Sequence, residues 1–450
     1  MAPSSETLAR ERGRASASAS VDVLSLLLEG KYVDRQSGEL IGAPTRHLVI
    51  EDSLDGAEAE LVGRLGLGKR VALVSDATTY EVMGRRVHAA LSGHYHLDSL
   101  VLPVGVHPDD SVTARLSAAT VAADALIAIG SGTINDLTKY VSAREGKPYC
   151  VFATAPSMNG YVSLTASITV KGHKGTLPAQ PPLGAFFDLS VLAAAPTQMI
   201  RAGLGDSICR TTAQADWLLS HLLLDTPYRQ LPFDLLRDDE AALLESAEDL
   251  IGGSLDAMRS LVRTLVLSGY GTAIVGSSAP ASQAEHLVSH YIDMLAPASR
   301  PAVLHGEQIA VTTTSVARLQ HAMLDTRPVL HEDLVTNAEL EGRYGSELAT
   351  SVIEEFDHKR LDRRRVDELN ERLSARWSDI RTQVGAVLLS TERIEATLRA
   401  AGAPLQPSDV HLDRAFYEEA LLHAREIRNR FTVLDLATGS GELGTLIQSL

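Results

Sequence analysis

The sequence predicts an α/β N-terminal domain on a mainly parallel sheet, followed by an all-α C-terminal domain. Three observations carry this reading. Short apolar runs alternate with helical patterns between residues 21 and 190, as in successive βαβ units. Beyond about residue 190 the apolar runs stop and long helical stretches take over. At the centre, the apolar run 125–129 passes directly into Gly130-Ser131-Gly132 and then into an amphipathic stretch. That is a strand, a tight turn and a helix.

Taken in order, residues 1–20 are rich in Ser, Ala and Arg without an apolar core. They predict a mobile tail and not a secretory signal. Glu6 and Glu11 argue against a transit peptide. Residues 21–28 suit a short helix, 47–50 a strand, 56–65 a helix and 71–76 a strand ending in Asp76. A helix over 79–91, a strand over 97–104 and a helix over 111–123 follow. After the central stretch come a strand over 149–153, a hairpin over 167–175 and a strand over 185–189. The boundary falls near residue 190, giving an α/β dinucleotide-binding domain over 21–190 and a helical domain over 191–450. The helical domain reads as 206–224, 239–268, 282–295, 306–324, 337–344, 352–382, 384–401 and 409–425.

Composition narrows the classes. The chain has 450 residues, 45% hydrophobic and 22% charged, which suits a two-domain globular protein. A formal net charge of −16 excludes a chain built as a whole for nucleic acid or anionic membranes. No apolar run reaches the roughly 20 residues that span a bilayer. Cys150 and Cys209 are the two cysteines, too few for a disulfide framework or a thiolate zinc site. They read as buried thiols in a reducing cytoplasm.

Several residues are candidates for chemistry. The Gly130-Ser131-Gly132 turn opens a helix, where backbone N–H groups and the helix dipole favour an anion such as a dinucleotide pyrophosphate. A plain βα turn is the alternative. Asp76, at the end of its strand, suits the hydroxyls of a ribose or the N-cap of the next helix. Asp206 is expected to open a helix after Ala202-Gly203-Leu204-Gly205. Ser282 and Glu285 suggest a capping box, and His286 and His290, four apart, share a helical face. His305 opens another helix, where the dipole keeps imidazole neutral. One carboxylate and two imidazoles make a catalytic metal set. Each alone is equally readable as a cap or a packed side chain. Lys171 and Lys174 flank the hairpin turn and could face a phosphate or only water.

The ordered set of Gly130-Ser131-Gly132 with Asp136 and Lys139, then 154–160, then Gly203-Leu204-Gly205-Asp206, then Ser282, Glu285, His286, Ser289 and His290, then His305-Gly306-Glu307-Gln308 resembles the glycerol-1-phosphate dehydrogenases. These belong to the iron-containing alcohol dehydrogenase and dehydroquinate synthase-like superfamily. The resemblance runs from about residue 40 to the C-terminus. It implies a cleft between the two domains. It implies a divalent metal, zinc, nickel or iron, on Asp206, His286 and His305. Gly130, Ser131, Gly132 and Asp136 would then hold the cofactor pyrophosphate region, and Thr154 and Ser157 would line the nicotinamide side. Asp76 matches an acid that favours NAD over NADP. The chain departs from many relatives in carrying Asn159 where they have Asp, which shifts proton relay toward His290 or water.

The implied reaction is metal-assisted, NAD(P)H-linked reduction of dihydroxyacetone phosphate to sn-glycerol 1-phosphate, in a cytoplasmic homodimer without nucleic-acid partners or membrane insertion. Three other readings remain: a dehydrogenase of another polyol or specialised metabolite, a cyclase that uses NAD transiently, and a silent nucleotide-binding protein.

Overall fold

The computed structural model describes residues 22–170, 173–297 and 299–450. The predicted tail over 1–20 lies outside them. The strands are β1 (Tyr32–Val33), β2 (Leu40–Ile41), β3 (His47–Glu51), β4 (Arg70–Asp76), β5 (His96–Leu102), β6 (Ala125–Gly130), β7 (Tyr149–Ala153), β8 (Thr165–Val170), β9 (His173–Pro178) and β10 (Gly184–Asp188). Six of them form one sheet in the order β3-β10-β7-β6-β4-β5, and every pair in it is parallel. All residues of β6, β7 and β10 are buried. Helices cover both faces of such a sheet, so its central strands read as unbroken apolar runs.

The helices that matter for the site are α1 (Gly132–Glu145), α2 (Thr197–Ile208), α3 (Arg210–Leu224), α4 (Leu255–Val275), α5 (Ala284–Leu295), α6 (His305–Asp325) and α7 (Arg363–Gly385). Beyond β10, the regular structure of the described residues is entirely helical, so the change of pattern near residue 190 is real. One apolar core nevertheless runs across it. Leu126 and Val151 from the sheet share a cluster with Leu261, Leu265 and Tyr270 of α4.

The structure corrects several helix limits. The expected helix over 206–224 is two helices, with the break at Cys209. The stretch 239–268 is cut into Leu231–Glu245, Ala247–Ile251 and α4. The helix after β4, expected over 79–91, starts at Ala77 and carries a π turn over Tyr80–Gly84 before Arg85–Leu91. No glycine or proline signals the breaks at Cys209 and Ser246, so composition gave no warning.

The hairpin forms as expected from β8 and β9. β8 is tied to the rest of the domain, with the Ser167 amide donating to Asp136 Oδ2 at 2.9 Å and the Thr169 amide to the Pro108 carbonyl at 2.7 Å. Lys171 and the side chain of Lys174 lie outside the described residues.

Candidate active site

The strand ends bring the nucleotide-half candidates together. Gly130 pairs with Ala153, and Val74 lies opposite Ala128, so the β4 end at Asp76 sits beside the glycine turn. α1 starts at Gly132 with Ser131 as an extended N-cap whose side chain makes no capping bond. The first-turn amides are therefore not masked by a cap, as an anion site requires.

The glycines also have packing roles. A Cβ on Gly130 would lie 2.6 Å from the Ile134 Cβ, so this glycine lets α1 close down on β6. A Cβ on Gly132 would lie 2.9 Å from the Met158 sulfur. The space in front of Gly132 is thus covered by the Met158 thioether. Thr154 is buried, and its amide donates to the Gly130 carbonyl at 3.2 Å. Ser157 lies in the same loop, half-buried.

Two predicted cofactor residues are occupied by structural work. Asp76 Oδ1 accepts from the Thr79 amide at 2.8 Å, and Thr79 Oγ1 accepts from the Asp76 amide at 3.0 Å. That is the N-cap reading of Asp76. Asp136, expected near the pyrophosphate, is buried; its Oδ2 holds the Ser167 amide and its Oδ1 lies 3.6 Å from Lys139 Nζ. Burial raises the Asp136 pKa and lowers that of Lys139, and each charge partly offsets the other's shift. Lys139 donates to the carbonyls of Gly160 and Thr165 and to Ser163 Oγ. The pair fastens the 159–165 loop to α1, a packing role that spacing could not distinguish from phosphate contact.

In the helical half, Asp206 does not open a helix. It sits in the last turn of α2. Glycines place it there by allowing backbone contact. A Cβ on Gly203 would lie 1.7 Å from the Pro156 carbonyl oxygen, one on Gly205 2.0 Å from that of Gly306, and one on Gly306 1.8 Å from that of Ala202. α2 is therefore wedged between the 154–160 loop and the start of α6. Asp206 Oδ2 accepts from the Asn159 amide at 2.8 Å. The Asn159 side chain points elsewhere, donating to Ser268 Oγ on α4 at 3.2 Å. This geometry makes Asn159 a positioning residue for Asp206.

Three imidazoles gather nearby, one of them, His286, facing that carboxylate. Asp206 Oδ1 is 3.9 Å from His286 Nε2. The ring centroids of His286 and His305 are 5.2 Å apart, those of His286 and His290 6.0 Å, and those of His290 and His305 6.3 Å. His286 Nδ1 lies 3.0 Å from Glu285 Oε1, which fixes the tautomer with Nε2 free to accept or ligate. Glu285 is fully buried and also accepts from Thr212 Oγ1 at 3.0 Å and the Gln283 amide at 2.7 Å. Burial pulls the Glu285 pKa up, but His286 first, and then the backbone amides of Gln283 and Glu285, outweigh it and leave the group below its usual range. The expected Ser282–Glu285 capping box is not formed, because Gln283 is the N-cap and Ser282 Oγ accepts from Arg430. On α6, Gln308 Nε2 donates to the Ser289 carbonyl and hydroxyl, and Glu307 Oε2 accepts from Gln198 of α2 at 2.8 Å. These bonds hold α2, α5 and α6 in register.

Asp206 and His286 suit a divalent cation, although the donor atoms that all lie within 4.8 Å of one another belong to Asp206, His286 and Cys209, with His305 not among them. Asp206 is 4% exposed, and burial pushes its pKa up, with His286 and the Asn159 amide only partly offsetting it. A cation would supply the missing positive charge. Cys209 was not foreseen here. Its sulfur shares a volume with Asp206 and His286, all donor atoms within 4.8 Å. Burial pushes the Cys209 thiol well up, and it donates to the Asp206 carbonyl at 3.2 Å, so it packs as a thiol. Glu285 had one signal in the sequence, its place next to His286. Cys209 and Gln198 had none.

Comparison with known proteins first gives the class. The family model for iron-containing alcohol dehydrogenase matches residues 49–196. A probable glycerol dehydrogenase from Sinorhizobium meliloti 1021 superposes with a TM-score of 0.58 at 18% identity, covering 90% of this chain and 98% of that one. An NADH-dependent butanol dehydrogenase from Thermotoga maritima does so with a TM-score of 0.56 at 13% identity, covering 91% and 97%. At those identities they establish the fold.

Closer relatives then give the family. The glycerol-1-phosphate dehydrogenase [NAD(P)+] of Geobacillus stearothermophilus is 31% identical over 411 residues, 87% of this chain and 94% of that protein. The enzyme of the same name from Thermococcus kodakarensis is 32% identical over 278 residues, 62% and 78%. The chain belongs to the glycerol-1-phosphate dehydrogenase family of iron-containing alcohol dehydrogenase-like oxidoreductases.

Proposed function

We propose that the chain reduces dihydroxyacetone phosphate to sn-glycerol 1-phosphate, using NADH in preference to NADPH and one divalent metal. The observation that supports this best is the approach of Asp206 to His286, whose ring lies next to that of His305, beside the 154–160 loop that leads to the glycine turn. Asp206, His286 and His305 would hold the cation, which when bound supplies Lewis acidity toward a carbonyl oxygen. The reduced nicotinamide supplies the hydride. Around them the chain orients and protects. Gly130, Ser131 and Gly132 present backbone amides to the pyrophosphate, Thr154 and Ser157 line the nicotinamide side, and Asp76 sits by the ribose. The Asn159 amide fixes Asp206, and Glu285 fixes the His286 ring. To His290, half-buried beside both other imidazoles, we assign the proton delivered to the C2 oxygen. We assign Lys171 and Lys174 to the substrate phosphate. Work in a reducing cytoplasm suits the two buried free cysteines, and we take the enzyme to be a homodimer.

The test is NADH oxidation with dihydroxyacetone phosphate and with dihydroxyacetone, alongside metal analysis of the same sample. Chelation should abolish turnover and a divalent metal restore it, and His305→Ala should lose most of its metal. Lys171→Ala and Lys174→Ala should raise KM for the phosphorylated ketone about tenfold or more and leave the free ketone unaffected. Full turnover in metal-free protein, or no turnover of either ketone, would refute the reading.

A further inference from the structure

A large cavity lies away from the residues just described. It has a volume of about 790 Å³ and is walled by α3, α7, the end of α4 and the 429–431 segment. None of Asp206, His286, His290 or His305 lines it. Its size is that of a site for a small organic ligand.

Its charge is out of character for the molecule. Five cationic side chains line it against two carboxylates, in a chain whose net charge is −16. Both carboxylates are spoken for. Asp225 pairs with Arg372 at 2.8 Å and Glu368 with Arg364 at 3.0 Å. Lys359 pairs with Asp435 at 3.0 Å. That leaves Arg365 and Arg430, neither of which has a carboxylate at ion-pair distance among the described residues. Arg365 donates to the carbonyls of His358 and Arg360. Arg430 donates to the carbonyl and hydroxyl of Ser282 and to Ser278 Oγ. Burial, with Arg428 nearby, pulls the Arg430 pKa down to about 10, against the opposing charges of Glu285 and Glu355. A guanidinium in that state gains from an anion. Two guanidiniums without a direct ion pair match the charge of a phosphate monoester at neutral pH. The remaining wall is apolar and aromatic, with Trp217, Leu223 and Phe431, and can cover a ring or short hydrocarbon body.

We propose that this cavity is a second ligand site, which takes a small organic phosphate monoester with its phosphate on Arg365 and Arg430 and its apolar body against Trp217 and Phe431. Arg430 holds Ser282, which immediately precedes the Gln283 N-cap of α5 and, two residues on, Glu285 and His286.

Phenyl phosphate is a suitable probe, titrated into the full chain carrying Trp377→Phe so that fluorescence reports Trp217 alone. Binding should saturate with a dissociation constant of about 1 mM or below, and phenol should not bind. Arg365→Gln should weaken binding about tenfold or more. Arg430→Lys should do the same, and if it folds poorly the Arg365 variant still decides. His305→Ala and saturating NADH should leave binding unchanged. Loss of binding in His305→Ala, competition by NADH, equal affinity in Arg365→Gln, or no saturation at all would overturn the proposal. None of these outcomes depends on which ketone the first site reduces.

Discussion

At the scale of single residues, one group carries two readings that a substitution can separate. Asp76 caps the helix that begins at Ala77, and we also place it beside the cofactor ribose. Asn is as good an N-cap as Asp but carries no charge. Asp76→Asn should therefore leave thermal stability nearly unchanged. It should narrow the kcat/KM preference for NADH over NADPH by about tenfold, since a 2′-phosphate would no longer meet a like charge. An unchanged preference would confine Asp76 to its cap. Sequence alone could not choose between these uses, because both need a carboxylate at a strand end. Asp136 shows the same limit from the other side. Its spacing from the glycine turn suggested phosphate contact, yet its partner Lys139 is fully buried and the pair fastens a loop. Only burial, which the sequence does not print, tells the two apart.

At the scale of elements, the sheet was legible and the helix ends were not. The strands 125–129 and 149–153 stood out because burial on both faces leaves an unbroken apolar run. The break after Ile208 left no trace, because neither Gly nor Pro marks it, and with it went the placement of Asp206 at the end of α2 and not at a start. The His286–His290 face and the His305 helix start were correctly placed, since both follow from helical period and local order. What brings α2 to α6 is backbone contact through Gly205 and Gly306. Gly306→Ala would put a Cβ 1.8 Å from the Ala202 carbonyl oxygen, against backbone that cannot step aside. We expect a loss of about 1–3 kcal/mol in denaturant unfolding. Gly342→Ala is the matched control. It also lies inside a helix, with nothing within 4 Å of the added Cβ, and should gain about 0.5–1 kcal/mol. Equal effects at the two positions would show that helix propensity, and not close approach, sets the need for glycine at 306.

At the scale of the whole molecule, the C-terminal segment is anchored by buried charge. Arg425 donates to both carboxylate oxygens of Asp333, at 2.8 and 3.0 Å, and to Asp435 at 3.0 Å. Lys359 also pairs with Asp435 at 3.0 Å, and Arg425, Lys359 and Asp435 are each under 5% exposed. Asp435→Asn would leave two cations facing one carboxylate. Stability should fall by about 3–5 kcal/mol, read by chemical denaturation. A loss below about 1 kcal/mol would mean that water reaches the cluster.

The order of the sheet has a consequence for the growing chain. β3 is the first strand of the sheet to be made, yet its neighbour in the sheet is β10, the last. Its pairing begins with His47 opposite Gly184, so 184 minus 47, or 137, residues must be added before it finds its partner. At about 5–20 residues per second this is a wait of roughly seven to thirty seconds on the ribosome. Throughout it β3 has an open edge, and β7 lacks the strand that will separate the two. Nascent chains stalled before residue 184 should therefore be easily cleaved by protease within 47–51 and recruit chaperones, while those stalled after β10 has emerged should not.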